Sequence, residues 1–490
     1  MSPAGAWITL PVLLPLAAAT VAFLLRPRAA AAVGLVTSLL VLATVVWLCV
    51  EVVSGGSERY ALAGWEAPLG IELYADGLAA FMLLMAAVVG SASSAYAAGY
   101  FARERGTATE GSPRVDRSFW PLWMFLWASL NALFLSADAF NLSVALELLG
   151  LSSAALVALG GTREALVAAM RYLLVSLLGS LAYLAGVALL YGSFGTLSLV
   201  ELGERVSSGP TAWTAIALIT LGMALKTALF PLHAWLPPAY ASAPAPVSAL
   251  LSGLGVKASF YLLLRLWFVV FPEALAPAAG QLLGLLGAVA IVWGSVLALR
   301  RRGLKMVLAY SSVSQIGYLF LLFPLAADPG SDAWKGGVYL VFSHALAKTA
   351  MFMAAGLIAT TLGSEELARM DGIAQHLPLT VATFAVAGVT LMGLPPSGGF
   401  TAKWLLLGAA IGEGQWLLAV VILAGGLLAA AYLFRFLGRA LLNGPAGKVT
   451  ARPPRGPELV AFALAVASLL LGLLSAPLLA LLGVGVGSAG

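Results

Sequence analysis

Four lysines lie within stretches of sequence that are otherwise apolar enough to cross a membrane: Lys226, Lys257, Lys348 and Lys403. Placing an ammonium group at the centre of a bilayer costs roughly 2.5–3.5 kcal/mol on insertion scales. A buried lysine exchanges its proton readily, whereas arginine stays protonated, so lysine suits a group that must gain and lose protons. The four lysines therefore predict a proton relay. The alternative is snorkelling toward the interface, which fits Lys403 better than the deeper Lys257.

One carboxylate, Glu147, lies in the middle of another apolar run, and no basic residue lies within two helical turns of it in the sequence. A buried carboxylate needs a partner from another helix or else binds a proton. We expect Lys226 to be that partner. An ion pair that responds to neighbouring charge would act as a gate, because splitting it would push the Lys226 proton onward. A static, structural ion pair is the alternative.

His344 and Lys348 are four residues apart and therefore lie on one face of a helix. Histidine titrates near neutral pH, so this face is suited to pass protons between the Lys257 and Lys403 regions. The alternative for His344 is a histidine that only packs in the core.

Two further basic residues are secondary candidates. His233 comes shortly after Pro231 and is expected either to relay protons or to cap the backbone carbonyls that the proline frees. Lys305 follows Arg300–Arg302 at the entrance of a helix. Membrane topology alone explains a lysine there, and the same position would also allow it to feed protons from the inside.

Prolines interrupt two of the lysine-bearing runs. Pro231 follows Lys226, and Pro395 and Pro396 precede Lys403. A proline frees backbone carbonyls that cannot stay unpaired in hydrocarbon, so we expect helix breaks that are enclosed by protein or line a wet cavity. Two broken helices that each carry a lysine suggest an internal repeat around an ion path.

The composition describes a membrane protein, since 61% of the 490 residues are hydrophobic and only 10% are charged. The single cysteine, Cys49, excludes a disulfide, a thiolate zinc site or an iron–sulfur cluster within this chain. We find no phosphate loop, dinucleotide fingerprint or metal-ligand cluster, and we expect no cofactor and no metal. The net charge of +5 does not indicate nucleic-acid binding, because the basic residues sit in short loops between apolar runs.

The apolar runs predict an all-α polytopic protein with about fourteen transmembrane helices. Basic residues concentrate in alternate loops, which places both termini outside. The first run has no basic residue before it and is read as a helix rather than a signal peptide. The expected divisions are 1–118 (helices 1–3), 119–271 (first repeat, helices 4–8), 272–442 (second repeat, helices 9–13) and 443–490 (helix 14).

Five segments together resemble a known family: ALELLGLSSAALVALGG, ALKTALFPLHAWLPPAYASAPAPVSALLSGLGVKASFYLLLR, LAYSSVSQIGY, SHALAKTAMFMAAG and GLPPSGGFTAKWLL. They are similar to the antiporter-like subunits shared by respiratory complex I, membrane-bound hydrogenases and multisubunit Mrp Na+/H+ antiporters. The resemblance spans roughly residues 70–440. It implies fourteen helices, two inverted five-helix repeats, discontinuous helices 7 and 12, and a polar axis along the membrane midplane.

Motif by motif, the resemblance also implies roles for individual residues. Glu147 corresponds to the family's fifth-helix glutamate, Lys226 to the seventh-helix lysine and Lys257 to the bridging lysine of the eighth helix. His344 and Lys348 correspond to the polar face of the eleventh helix, and Lys403 to the terminal residue on the twelfth helix.

Because position 403 is a lysine, the chain resembles D-type Mrp subunits and some complex I subunits more than it resembles the complex I subunit that has glutamate at this position. The expected function is a proton-translocating subunit of an Mrp-type Na+(cation)/H+ antiporter, assembled with other membrane subunits in a bacterial or archaeal inner membrane. The alternative is a proton-pumping subunit of a complex I-like NADH:quinone oxidoreductase or a membrane-bound hydrogenase. Any redox centre would belong to a partner, so the chain alone is expected to be a transporter subunit rather than an enzyme.

Overall fold

The computed structural model describes residues 5–65, 70–107, 115–272, 277–442 and 453–485. The structure is helical apart from one hairpin of two short antiparallel strands, in which Glu58 pairs with Ala75. The first half contains α1 (Leu10–Leu24), α2 (Pro27–Gly55), β1 (Glu58–Ala61), β2 (Glu72–Ala75), α3 (Gly77–Thr107), α4 (Val115–Leu135), α5 (Ala139–Ala158), α6 (Arg163–Phe194), α7 (Leu199–Arg205), α8 (Pro210–Thr227), α9 (Leu236–Ser242), α10 (Ala245–Leu250) and α11 (Val256–Arg265).

The second half contains α12 (Pro277–Arg300), α13 (Leu304–Phe320), α14 (Leu322–Leu325), α15 (Asp332–Leu362), α16 (Pro378–Met392), α17 (Gly398–Gly412), α18 (Trp416–Ala440), α19 (Arg455–Leu470) and α20 (Ser475–Leu482). Two π-helical segments, Leu251–Gly255 and Leu266–Val270, extend α10 and α11 into one continuous span. The all-α polytopic fold expected from the sequence is confirmed.

Among the described residues, 11 helices are long and apolar enough to cross a membrane, or 12 if the bent pair of α19 and α20 is one span. The structure therefore does not confirm the exact count of fourteen. The physical reason lies in the seventh and twelfth predicted runs. Each of these is divided into two shorter helices, α8 with α9 and α16 with α17, and neither run counts as a continuous span.

Both predicted helix breaks are present where the prolines indicated. After α8 the chain enters a left-handed turn at Ala228, with a φ of 59°, and Pro231 lies in the segment before α9. After α16 the turn is made by Gly393, with a φ of 79°, a conformation that glycine adopts at little cost. Pro395 and Pro396 follow it, and the chain re-enters a helix at α17.

The helices that carry Lys257 and Lys348 lie at the centre of the protein. The span from Ala245 to Val270 is completely buried and those of α13 and α15 are 89% buried, whereas the spans of α1, α2 and α6 are 33% buried. The outer helices thus present apolar side chains to their surroundings while the central ones are enclosed by protein. This arrangement keeps polar side chains on the central helices away from lipid.

Candidate functional site

Lys226 occupies the last turn of α8, just before the first helix break, and its side chain is buried. Its Nζ donates to the hydroxyl oxygens of Ser176 at 2.8 Å and Ser180 at 2.7 Å, and to the Ser176 carbonyl at 3.1 Å. The two serines are one helical turn apart on α6, so their hydroxyls converge on one point. All three acceptors of the Lys226 ammonium are neutral groups of a single helix.

The predicted ion pair between Glu147 and Lys226 is wrong as a direct contact. Glu147 lies half-buried on α5, and no oxygen of its carboxylate is within ion-pairing distance of the Lys226 nitrogen. The physical reason is that the α6 serines already supply the hydrogen-bond acceptors that the ammonium needs. Glu147 is nevertheless close in the fold, because it precedes Gly150 by three residues on α5 and a β-carbon at Gly150 would lie 3.9 Å from the Lys226 nitrogen.

A small cavity separates Lys226 from the helix that carries Lys257. It is lined by Lys226 and Ser176 on one side and by Gly255 and Ser259 on the other. Its volume of about 10 Å³ is roughly the space that one water molecule requires. The cavity therefore lies between the end of α8 and the helix that carries Lys257.

Lys257 is completely buried near the start of α11, directly after the first π-helical segment. Its Nζ donates to the carbonyl of Ser252, which lies within that segment. π-Helical turns are uncommon, and they are found frequently at functional sites. Here the wider turn places a backbone carbonyl beside the lysine.

Lys348 and His344 lie on the face of α15 that is turned toward α13, and both are fully buried. The Nζ of Lys348 donates to the carbonyl of Leu308 at 2.5 Å and to the hydroxyl of Ser311 at 2.6 Å. Neither ring nitrogen of His344 has a hydrogen-bond partner among the described residues. A buried imidazole without partners is unusual, because each unpaired polar atom normally costs about 1–3 kcal/mol.

His344 lies one helical turn from Lys348 on α15. This helix packs against α10 and the first π-helical segment, which directly precede Lys257, and against α17, which carries Lys403. Both side chains of the face predicted from the four-residue spacing, His344 and Lys348, are buried in the interior of the protein. The structure brings these four residues together from three separate helices.

Lys403 lies on α17, one turn beyond the second helix break, and is buried. Its Nζ donates to the carbonyl of Leu391 at 2.7 Å and lies 4.1 Å from the centre of the Tyr318 ring. Leu391 is in the last turn of α16, where the break leaves carbonyls without helical partners. Snorkelling is thus not the arrangement here, since the lysine points into the protein.

The two secondary candidates occupy different positions. His233 lies in the break after α8 and stacks on Phe230, with ring centres 5.6 Å apart. The carbonyl of Leu225, in the last turn of α8, accepts from the indole nitrogen of Trp235 at 3.0 Å as well as from the backbone of Ala228, and the sequence did not indicate the Trp235 contact. Lys305 forms an ion pair with Glu365 at 2.9 Å and donates to the Ala243 carbonyl at 3.2 Å.

Three residues that matter to the site were missed from the sequence: Ser176, Ser180 and Trp235. The two serines lie four residues apart on one apolar helix, and this spacing was the feature of the sequence that could have predicted the hydrogen-bond partners of Lys226. Within the described residues, no group of three or more His, Cys, Asp or Glu side chains is placed to hold a metal ion.

Comparison with known proteins shows similarity over most of the chain. The family model described as "NADH:quinone oxidoreductase/Mrp antiporter, TM" matches residues 136–429. The N-type subunit of the NADH-quinone oxidoreductase of Desulforudis audaxviator is 37% identical over 84% of this chain and 81% of its own length. The D-type subunit of the Na(+)/H(+) antiporter of Alkalihalophilus pseudofirmus is 31% identical over 78% of this chain and 76% of its own.

A chain in the structure of the Mrp complex from Dietzia sp. superposes with a TM-score of 0.87 at 26% identity, covering 98% of this chain and 97% of that one. The family match extends over more than half of the sequence and includes Glu147, Lys226, Lys257, His344, Lys348 and Lys403. This multi-pass membrane protein is a member of the NADH:quinone oxidoreductase/Mrp antiporter transmembrane family.

Proposed function

We propose that this chain carries protons across the membrane as one subunit of a larger prokaryotic membrane complex. The observation that carries the proposal is the environment of Lys226, Lys257, Lys348 and Lys403. Among the described residues, none of these four lysines is ion-paired with a carboxylate, and each instead donates to serine hydroxyls or backbone carbonyls. Each lysine is therefore able to release its proton without leaving a buried carboxylate unpaired.

The proposed route begins on the inside near Lys226, continues to Lys257, passes the His344 and Lys348 face, and leaves near Lys403. The cavity between Lys226 and α11 supports the first step, because it has room for a water molecule. The packing of α15 against α17 and against the π-helical segment that precedes Lys257 supports the later steps. Glu147 acts as the gate because its charge attracts the Lys226 ammonium, which in this structure is held by Ser176 and Ser180.

We propose that the energy comes from exchange with Na+ or another cation in an Mrp-type antiporter, with the other membrane subunits of that complex as partners. The similarity to the D-type antiporter subunit and the superposition on the Mrp complex support this form of the function. We retain the placement of both termini outside and the two five-helix repeats (119–271 and 272–442) as parts of the proposal. The alternation of basic loops and the two lysine-bearing breaks support them.

The second candidate is a proton-pumping subunit of a complex that is driven by a redox reaction. The higher identity to the N-type subunit of the NADH-quinone oxidoreductase favours it. The relay within this chain would be the same, and only the partner that supplies the energy would differ.

The test is ion-driven pH change in inverted membrane vesicles that contain the chain together with its neighbouring gene products. We expect Na+-dependent dequenching of a pH-sensitive dye that disappears in Lys226→Ala. The matched control is Lys335→Ala, since Lys335 lies in the first turn of α15, outside the proposed route. Proton uptake that requires NADH or another electron donor would replace the antiporter by the redox-driven alternative. Full transport in Lys226→Ala would overturn both forms.

A further inference from the structure

Two serines on α6 bind the Lys226 nitrogen at a position that is separate from Glu147, and this pair is called the seat of Lys226 below. Ser176 and Ser180, both buried, hold the Lys226 nitrogen through their hydroxyls at 2.8 and 2.7 Å. Ser143 on α5 is also buried but donates to the carbonyl of Phe140 in its own helix at 2.7 Å. The hydroxyls of the two α6 serines accept from a side chain of another helix, as Ser311 does from Lys348.

Two glycines make the room that this seat needs. A β-carbon at Gly179 would lie 2.7 Å from Cγ of Lys226 and 2.9 Å from the carbonyl oxygen of Gly222. A β-carbon at Gly150, on α5, would lie 2.3 Å from the Ser176 hydroxyl. The stem of Lys226 therefore rests directly on α6, and α5 approaches the same point closely.

Measured along the axis of α5, the Lys226 nitrogen also lies within about one helical turn of Glu147. A β-carbon at Gly150 would be 3.9 Å from that nitrogen, and Glu147 precedes Gly150 by three residues on α5. Three residues correspond to about 4.5 Å along a helix axis. The flexible four-carbon stem of lysine spans such a distance by changing rotamers.

The two positions differ in the chemistry that they offer to the nitrogen. A hydroxyl both donates and accepts hydrogen bonds, so Ser176 and Ser180 bind the neutral amine as well as the ammonium. An ionised Glu147 only accepts, and its charge favours the ammonium. Lys226 would thus be drawn to Glu147 when protonated and remain on the serines after it releases its proton.

We propose that Ser176 and Ser180 are positioning residues that hold the Lys226 side chain in a second position. The side chain alternates between this position and Glu147. The proposal rests on the proposed relay and adds to it the element that holds the lysine away from its gate. Removal of the seat leaves Glu147 as the favoured partner of Lys226.

The test is formation of an amide between Glu147 and Lys226 in the assembled complex, treated with the hydrophobic reagent dicyclohexylcarbodiimide and analysed by mass spectrometry. The reagent activates the carboxyl group and leaves as its urea when the amine attacks, so the yield reports how often the two side chains meet. We expect a several-fold higher yield in Ser176→Ala/Ser180→Ala than in wild type, with proton transport several-fold lower. Ser143→Ala, the matched control, should leave both quantities unchanged.

Two single variants guard against a failure of the double variant to assemble. Ser180→Ala should give an intermediate yield, and Ser180→Thr, which keeps a hydroxyl, should restore both yield and transport toward wild-type values. An amide yield in Ser180→Ala equal to that of wild type would overturn the proposal. The yield is measured without transport, so the seat can fail while the relay stands, and loss of transport in Lys226→Ala tests the relay alone.

Discussion

The ammonium of Lys403 closes the gap between α16 and α17 by donating to the carbonyl of Leu391 at 2.7 Å. Leu391 belongs to the end of one half-helix and Lys403 to the beginning of the next, so one residue both satisfies the break and forms the end of the proposed route. The aromatic ring of Tyr318 adds a cation–π contact at 4.1 Å. The break and the lysine thus depend on each other.

Replacing Lys403 should separate these two contributions. Lys403→Gln keeps a hydrogen-bond donor but has no exchangeable charge, so we expect a folded complex whose proton transport is at least about tenfold lower. Lys403→Met also removes the shorter of the two hydrogen bonds to the Leu391 carbonyl and leaves only that from the Gln315 amide at 3.4 Å, which costs about 1 kcal/mol. The measurements are vesicle transport and thermal unfolding. Equal unfolding temperatures for the Gln and Met variants would show that the lysine does not stabilise the break.

Glu147→Gln should reduce transport strongly with little effect on stability. The carboxylate makes no direct ion pair with Lys226 in this structure, so the variant loses the gating charge but no buried contact between them. We expect transport to fall by about tenfold or more and the unfolding temperature to change little, because glutamine has nearly the size and shape of glutamate and none of the mechanisms of large destabilisation is involved. Full transport in this variant would contradict the gating role.

His344→Leu tests the central position of the imidazole. No hydrogen bond is lost, because neither ring nitrogen has a partner among the described residues, and leucine keeps the site apolar. We expect unchanged assembly and stability with a large loss of transport, measured in the same vesicles. A histidine that merely packs would instead leave transport intact.

A buried ion pair outside the lysine axis provides a stability test. Arg265 at the end of α11 pairs with Asp76 through its two terminal guanidinium nitrogens, Nη1 and Nη2. Its Nε donates to the hydroxyl of Tyr261 at 3.0 Å. Removing one partner of such a pair costs about 3–5 kcal/mol because the other charge is left unpaired. We expect Asp76→Leu or Arg265→Met to lower the unfolding temperature more than the double variant does. A double-mutant cycle measures the coupling, and additive losses would contradict it.

Two glycines on α6 should respond in opposite ways to alanine. Gly179→Ala would push a methyl group against Lys226 and the Gly222 carbonyl, so we expect a loss of about 1–3 kcal/mol and impaired transport. At Gly192 a β-carbon meets nothing within 4 Å, and alanine should stabilise the helix by roughly 0.5–1 kcal/mol. Unfolding temperatures of the two complexes measure the contrast. A tolerated alanine at position 179 would show that the lysine stem does not rest on α6.

The sequence by itself determined the chemistry and the places where helices stop. A lysine in hydrocarbon is costly wherever it lies, and proline interrupts a helix whatever surrounds it. Lys226, Lys403, Pro231 and Pro395 could therefore be recognised from their immediate sequence alone. The four-residue spacing of His344 and Lys348 fixed their common face for the same reason.

Only the tertiary structure decided which groups meet across helices. The partner of Lys226 is a pair of serines on α6 and not Glu147 on α5, a choice that depends on how closely glycines let those helices approach. The span count changed because the two proline breaks divide predicted runs into shorter helices. Contacts between distant segments depend on packing of the whole chain, and spacing within one segment does not contain that information.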